Sequence, residues 1–225
     1  IIAAMVADRK KAEVDGLLLF GYANDNIQDI IKWQLSGKTS IINLRKYFDK
    51  NNNQVFSREE YESADTIATW ARTRLLNNTS FDALNLEQDS VIDYKDFAHK
   101  TIPFYEYLMQ MIEEENDEWI WNNYFRVTGK WMKAHFALEA NNTRLLRIDI
   151  PIYIFQGIDD ANAPVEGVFE IKKKFSEAGK TNLHCYTFEG HDHDLNYTAW
   201  PYRQIIPEGL NKLFNTAEVM LDQDN

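Results

Sequence analysis

The residues best equipped for chemistry stand on two glycine-marked loops. Gly157-Ile158-Asp159-Asp160-Ala161-Asn162-Ala163-Pro164 follows one apolar run, and Glu189-Gly190-His191-Asp192-His193-Asp194 follows another. A carboxylate from the first loop and an imidazole from the second can meet. The carboxylate then fixes the ring tautomer and stabilises imidazolium, while the other ring nitrogen faces a reacting group. Asp160 and His193 are the leading pair, thirty-three residues apart, a separation that holds one helix and one strand. Asp159 and His191 are the alternatives for the two roles. Two other readings stay open: His191-Asp192-His193-Asp194 as metal ligands, and the same run as a solvated loop.

A nucleophile is missing. None of the seven serines (36, 40, 57, 63, 80, 90 and 176) lies in a Gly-x-Ser-x-Gly motif or on a predicted strand-to-helix turn. Cys185 sits inside a predicted strand, where a structural thiol is the common case. The chain therefore reads as half of a catalytic constellation, inactive by itself.

Elements able to position these loops are legible in the patterning. Residues 1–14 have helical character, and the short apolar run Leu17-Leu18-Leu19-Phe20, bounded by Gly16 and Gly21, reads as a buried parallel strand. From about 26 to 140 apolar positions recur at helical spacing with no strand-like alternation. Helices are expected near 27–35, 41–48, 66–76, 97–111 and, in a Trp-rich stretch, 119–138. Trp119, Trp121, Tyr124, Phe125, Trp131 and Phe136 there read as core, or as the lining of an acyl pocket. Strands then return at 148–157 and 183–188, with helices at 164–178 and 207–221. That rhythm is α/β, a parallel sheet with helical crossovers. Three strands make a poor independent sheet, so further strands are expected upstream of Ile1.

Strand–Gly157-x-x-Asp160-x-x-x-Pro164 followed by strand–Gly190-x-x-His193 resembles the C-terminal part of the α/β-hydrolase family. The resemblance implies a partial α/β-hydrolase parallel sheet, formed by 1–21 and 148–225, with a large all-helical cap insertion at 22–147. It implies Asp160 as the acid and His193 as the base of a Ser, Asp, His triad. The serine elbow and the oxyanion donors would lie upstream of Ile1. The implied activity is acyl transfer on an ester or amide of a small molecule, as in esterases, lipases or aminopeptidases, with no cofactor for catalysis.

A second motif lies in the helical segment. Residues 49–60 resemble the EF-hand calcium loop, with Asp49, Asn51, Asn53, the Val55 carbonyl, Ser57 and Glu60 at the ligand positions. Gln54 stands where glycine normally makes the turn. Thirty-six residues later, 85–96 repeats the pattern with Asn85, Glu87, Asp89, Val91, Asp93 and Asp96, more degraded because Asp96 replaces the bidentate Glu. Phe56 and Ile92 would touch between the loops. Calcium is thus a candidate ligand, and a non-catalytic calcium-binding or interaction module is the alternative to the hydrolase.

A net charge of −11 argues against nucleic acid as a partner, since phosphates would be repelled and no basic patch is apparent. No apolar run is long enough to span a membrane. The single cysteine excludes an intrachain disulfide and leaves the compartment open. Expected partners are the small-molecule substrate, the missing N-terminal part, or a second copy through an exposed sheet edge.

Overall fold

The computed structural model describes residues 2–9 and 13–222; residues 1 and 10–12 of the expected N-terminal helix lie outside the described residues. In chain order the elements begin with α1 (Ile2–Asp8), β1 (Leu17–Phe20), α2 (Ile27–Gln34), α3 (Lys38–Phe48), β2 (Phe56–Ser57) and α4 (Arg58–Tyr61). Then follow α5 (Thr66–Leu75), α6 (Phe81–Leu84), β3 (Val91–Ile92), α7 (Tyr94–Glu113), α8 (Asp117–Asn123), α9 (Gly129–Phe136) and α10 (Asn141–Arg144). The C-terminal part holds β4 (Ile152–Gly157), α11 (Glu166–Glu177), β5 (Leu183–Phe188), α12 (Trp200–Arg203) and α13 (Glu208–Asp222). The chain divides into two compact units, Ile1–Ile30 with Phe136–Asn225, and Ile31–His135.

The first unit is α/β, built on a parallel sheet in the order β1-β4-β5. Its register pairs Phe20 with Phe155 and Gly157 with Phe188. Because the strands are parallel, their carboxyl ends share one edge, and the segments after Phe20, Gly157 and Phe188 emerge together there. Both faces are covered, as β-branched and aromatic strands of this type require. Ile152 and Ile154 pack with Val168, Ile171 and Phe175 of α11 and with Ala4 of α1. On the opposite face Phe155 packs with Phe188, Leu195 and Leu210 of α13. Burying each of these side chains contributes roughly 1.5–3 kcal/mol.

Residues 22–30 and 136–147 belong to this unit, although their patterning groups them with the helical segment. Buried asparagines explain it: Asn142 N–H donates to Asn24 O at 2.9 Å and Asn141 Nδ2 to Ala23 O at 2.9 Å, while Asn24 Nδ2 reaches Glu170 at 3.0 Å. Buried amides must find such partners, and these stitch β1's exit to α10 and α11.

The second unit is helical around an aromatic core of Phe48, Phe56, Tyr61 and Phe81, with ring centroids 5.0 Å apart for Phe48 and Tyr61. It also holds a two-residue antiparallel ladder, Phe56 opposite Ile92 and Ser57 opposite Val91, which makes the Phe56–Ile92 contact expected between the two loops. The expected 119–138 helix is in fact α8 and α9, separated at 124–128, and its aromatic stripe is no core: Trp121, Phe125 and Trp131 are largely exposed. Asp117 at the start of α8 accepts the Gly129 N–H at 2.7 Å, which ties the two short helices across the break.

Candidate functional site

The acid loop starts where β4 stops. A side chain on Gly157 would collide with the carbonyls of His191 and Asp192, so glycine there lets the two loops touch. Contact is then fixed by the Asp159 N–H donating to His191 O at 2.9 Å and the Ile158 N–H to Phe188 O at 2.9 Å. The chain folds back on itself around Asp160, whose Oδ1 accepts the N–H groups of Asn162 at 2.7 Å and Ala163 at 2.9 Å. Asp160 is 1% exposed.

The histidine loop is organised by Asp192. Its Oδ1 accepts the N–H of Asp194 at 3.1 Å and of Asn196 at 2.8 Å, and Asn196 Oδ1 accepts the Asp192 N–H in return at 3.1 Å. Leu195, fully buried, plugs the loop into the core beside Phe155 and Leu210. His193 is thus held between two anchored residues.

Asp160 and His193 meet, with Nδ1 2.9 Å from Oδ2 and the imidazole 35% exposed beside a buried carboxylate. The hydrogen bond from Asp160 raises the His193 pKa above its usual 6.5 against the opposing effect of burial, and the charges of Asp160, Asp194 and Asp192 add to the rise. Gly21, at the exit of β1 with φ +56, backs the ring: a Cβ there would come within 2.7 Å of Nδ1 and 2.9 Å of Nε2. One residue from each of the three parallel strand exits therefore shapes this site.

His191 is engaged elsewhere. Its Nδ1 lies 2.9 Å from Glu189 O and its Nε2 accepts the Gly209 N–H at 3.2 Å, so both ring nitrogens are engaged and the ring is seated at the start of α13. Asp159 meets the histidine loop through its backbone. Among the described residues there is no group of three His, Cys, Asp or Glu suited to hold a metal ion. Burial pushes the Cys185 thiol up to about 11, away from nucleophilic character at neutral pH.

Ser176 is near the end of α11 and so at the opposite end of that helix from the acid loop. Ser57 corrects the expectation from patterning, since it does stand between a strand and a helix. Its hydroxyl is nevertheless committed to a capping box with Glu60 at the start of α4.

No protein-family model and no curated protein sequence matches the chain. Among solved structures it is similar to a Paleococcus ferrophilus monoacylglycerol lipase, with 13% identity and a TM-score of 0.37 over 98% of this chain and 63% of that one. It is also similar to a lipase in open form, with 14% identity and a TM-score of 0.39 over 99% of this chain and 61% of that one. The chain spans about three-fifths of the length of these structures. Likenesses this distant do not bear on the chemistry, which stands on the geometry above.

In the second unit, the loop at 49–60 keeps its ligand oxygens turned inward. Asp49 accepts from Asn53 N at 3.0 Å and Gln54 N at 2.9 Å, Asn51 from Asn53 N at 3.0 Å, and Asn53 from Val55 N at 3.1 Å. Gln54 adopts φ +67, making the glycine turn at a strain of roughly 1 kcal/mol. Glu60 closes the loop, accepting from Lys50 N at 3.1 Å and Ser57 N at 3.0 Å. Burial raises the Glu60 carboxyl, but these bonds outweigh it and hold the group below its usual range. The oxygen-only donor set suits calcium and includes two formal charges, Asp49 and Glu60. The loop at 85–96 is bonded in the same way, Asp96 accepting from Glu87 N at 3.0 Å and Asp93 N at 2.8 Å and Asn85 bridging both backbone groups of Asp89; the shorter carboxylate at its last position is what makes it the poorer fit.

Proposed function

We propose that Asp160 and His193 are the acid and base of a serine-type acyl-transfer site, hydrolysing an ester or amide bond of a small-molecule substrate. The observation that carries this reading is the 2.9 Å contact between a buried carboxylate and a half-buried imidazole at the carboxyl edge of a parallel sheet. In the proposed cycle His193 Nε2 takes the proton of an attacking serine hydroxyl and returns it to the leaving group. Nδ1–H stays hydrogen-bonded to Asp160, which fixes the ring's orientation. The serine and the oxyanion donors come from outside residues 1–225, so this stretch alone is inactive in the proposal. The open edge of β1 is where a strand of that serine-bearing part would pair.

A fluorophosphonate probe on the longest natural species tests the reading. We expect labelling of a serine outside residues 1–225, lost on His193→Ala and slowed by about 10³–10⁴ on Asp160→Asn. If no species containing or accompanying this chain labels, the reading fails.

A second reading concerns the loop at 49–60, favoured by the Phe56–Ile92 ladder that joins the two loops. Asp49, Asn51, Asn53, the Val55 carbonyl, Ser57 and Glu60 would hold calcium, and the ion would order the loop electrostatically. With Gln54 at the turn and two charges, we expect weak binding, with Kd of about 10⁻⁴ M or above. Terbium luminescence sensitised by nearby aromatic rings reads it, and Glu60→Gln should abolish the signal.

A further inference from the structure

Gln156 is the last side chain of β4 before its closing glycine, and it is fully buried. Its amide is oriented by elimination. Oε1 lies 2.6 Å from the backbone nitrogen of Tyr22, a group that can only donate, so the oxygen must face it. The NH₂ then faces two acceptors, Asp160 Oδ2 at 2.6 Å and Ala163 O at 3.2 Å. Four donors therefore converge on Asp160: Gln156 Nε2 and His193 Nδ1 on Oδ2, and the Asn162 and Ala163 amides on Oδ1. Rotation of the carboxylate would break several bonds at once.

From this arrangement we propose that Gln156 is a positioning residue of the Asp160–His193 pair, locking Oδ2 toward the imidazole. The inference rests on the reading of that pair as acid and base, and it adds a link the loop motifs do not contain. Through Tyr22, Gln156 makes the exit of β1 a support of the acid, although β1 contributes no side chain to it.

The test is the titration of the His193 imidazole by NMR in the full chain, where Asp160, Asp192 and Asp194 supply the charges that act on it. Gln156→Met removes the donor at similar volume. Oδ2 is then no longer held toward the imidazole, and the midpoint should fall by about half a unit to one unit. An unchanged midpoint in folded Gln156→Met overturns the proposal and leaves a packing role. Asp160→Asn separates the two levels. It should lower the midpoint; if it does not, the pair itself is not formed in solution and both ideas fall. Should Gln156→Met not fold, the unaltered chain still decides. The Gln156 side-chain amide should exchange slowly with solvent and shift with the His193 midpoint, and an amide that exchanges freely or ignores that titration overturns the proposal.

Discussion

His193 is where the chemistry of the chain and its stability meet. Its pKa in the folded state lies above 6.5 because Asp160 hydrogen-bonds the ring, with burial working in the other direction. A base raised in this way stabilises the fold fully below its unfolded value and loses that contribution as pH rises through the folded value. We therefore expect the thermal midpoint of the chain to fall as pH climbs from about 6.5 upward, and Asp160→Asn to flatten that part of the profile. A profile unaltered by Asp160→Asn would mean that the pair adds nothing to folding. The same shift means that a catalytic base at this position becomes neutral only at higher pH. At this scale much was legible: glycine followed by acid or histidine three residues on marks both residues. Spacing favoured His193 and left His191 as the alternative, and the structure sets that alternative aside because the His191 ring turns to the Gly209 amide.

At the scale of elements, the site depends on how firmly each loop is fastened beneath. Leu195 is the fastening of the histidine loop, fully buried among Phe155, Phe188 and Leu210 in a backbone at φ +53. Leu195→Ala should destabilise the sheet unit by roughly 2–5 kcal/mol and release His193 from Asp160. Chemical denaturation reads the first effect, and the His193 titration falling back toward its ordinary value reads the second. Loss of stability with an unmoved titration would show that Asp192 and Asn196 hold the loop without Leu195. The strands and long helices were readable because periodicity and punctuation are local properties. The β2–β3 ladder carries no period of its own and was foreshadowed only by the Phe56–Ile92 contact expected between the two loops, and the Trp-rich segment misled because its break at 124–128 contains neither glycine nor proline. Gln156 also escaped notice, lying within a strand whose neighbours are apolar and carrying no motif.

At the scale of the molecule, among the described residues, the sheet is paired on one side only at β1 and at β5. Unpaired strand edges are templates for other strands, and β1 ends in the half-exposed Phe20. We expect the isolated chain to self-associate as its concentration rises, seen as an earlier-eluting species in size-exclusion chromatography. A single species at every concentration would count against edge pairing. Among the described residues no helix is long and apolar enough to cross a membrane.

The amino-acid sequence by itself determined the α/β rhythm, the helical segment between the strands, the acid and histidine loops and the two oxygen-rich loops. All of these depend on residues near one another in the chain. Tertiary structure alone decided which groups touch. Parallel register brought the exits of Phe20, Gly157 and Phe188 to one edge, and from that follow Asp160 against His193, Gly21 behind the ring and Gln156 between Tyr22 and the acid. The physical reason is that a hydrogen bond between residues 33 or 134 positions apart is set by strand pairing and packing, which leave no local period to read.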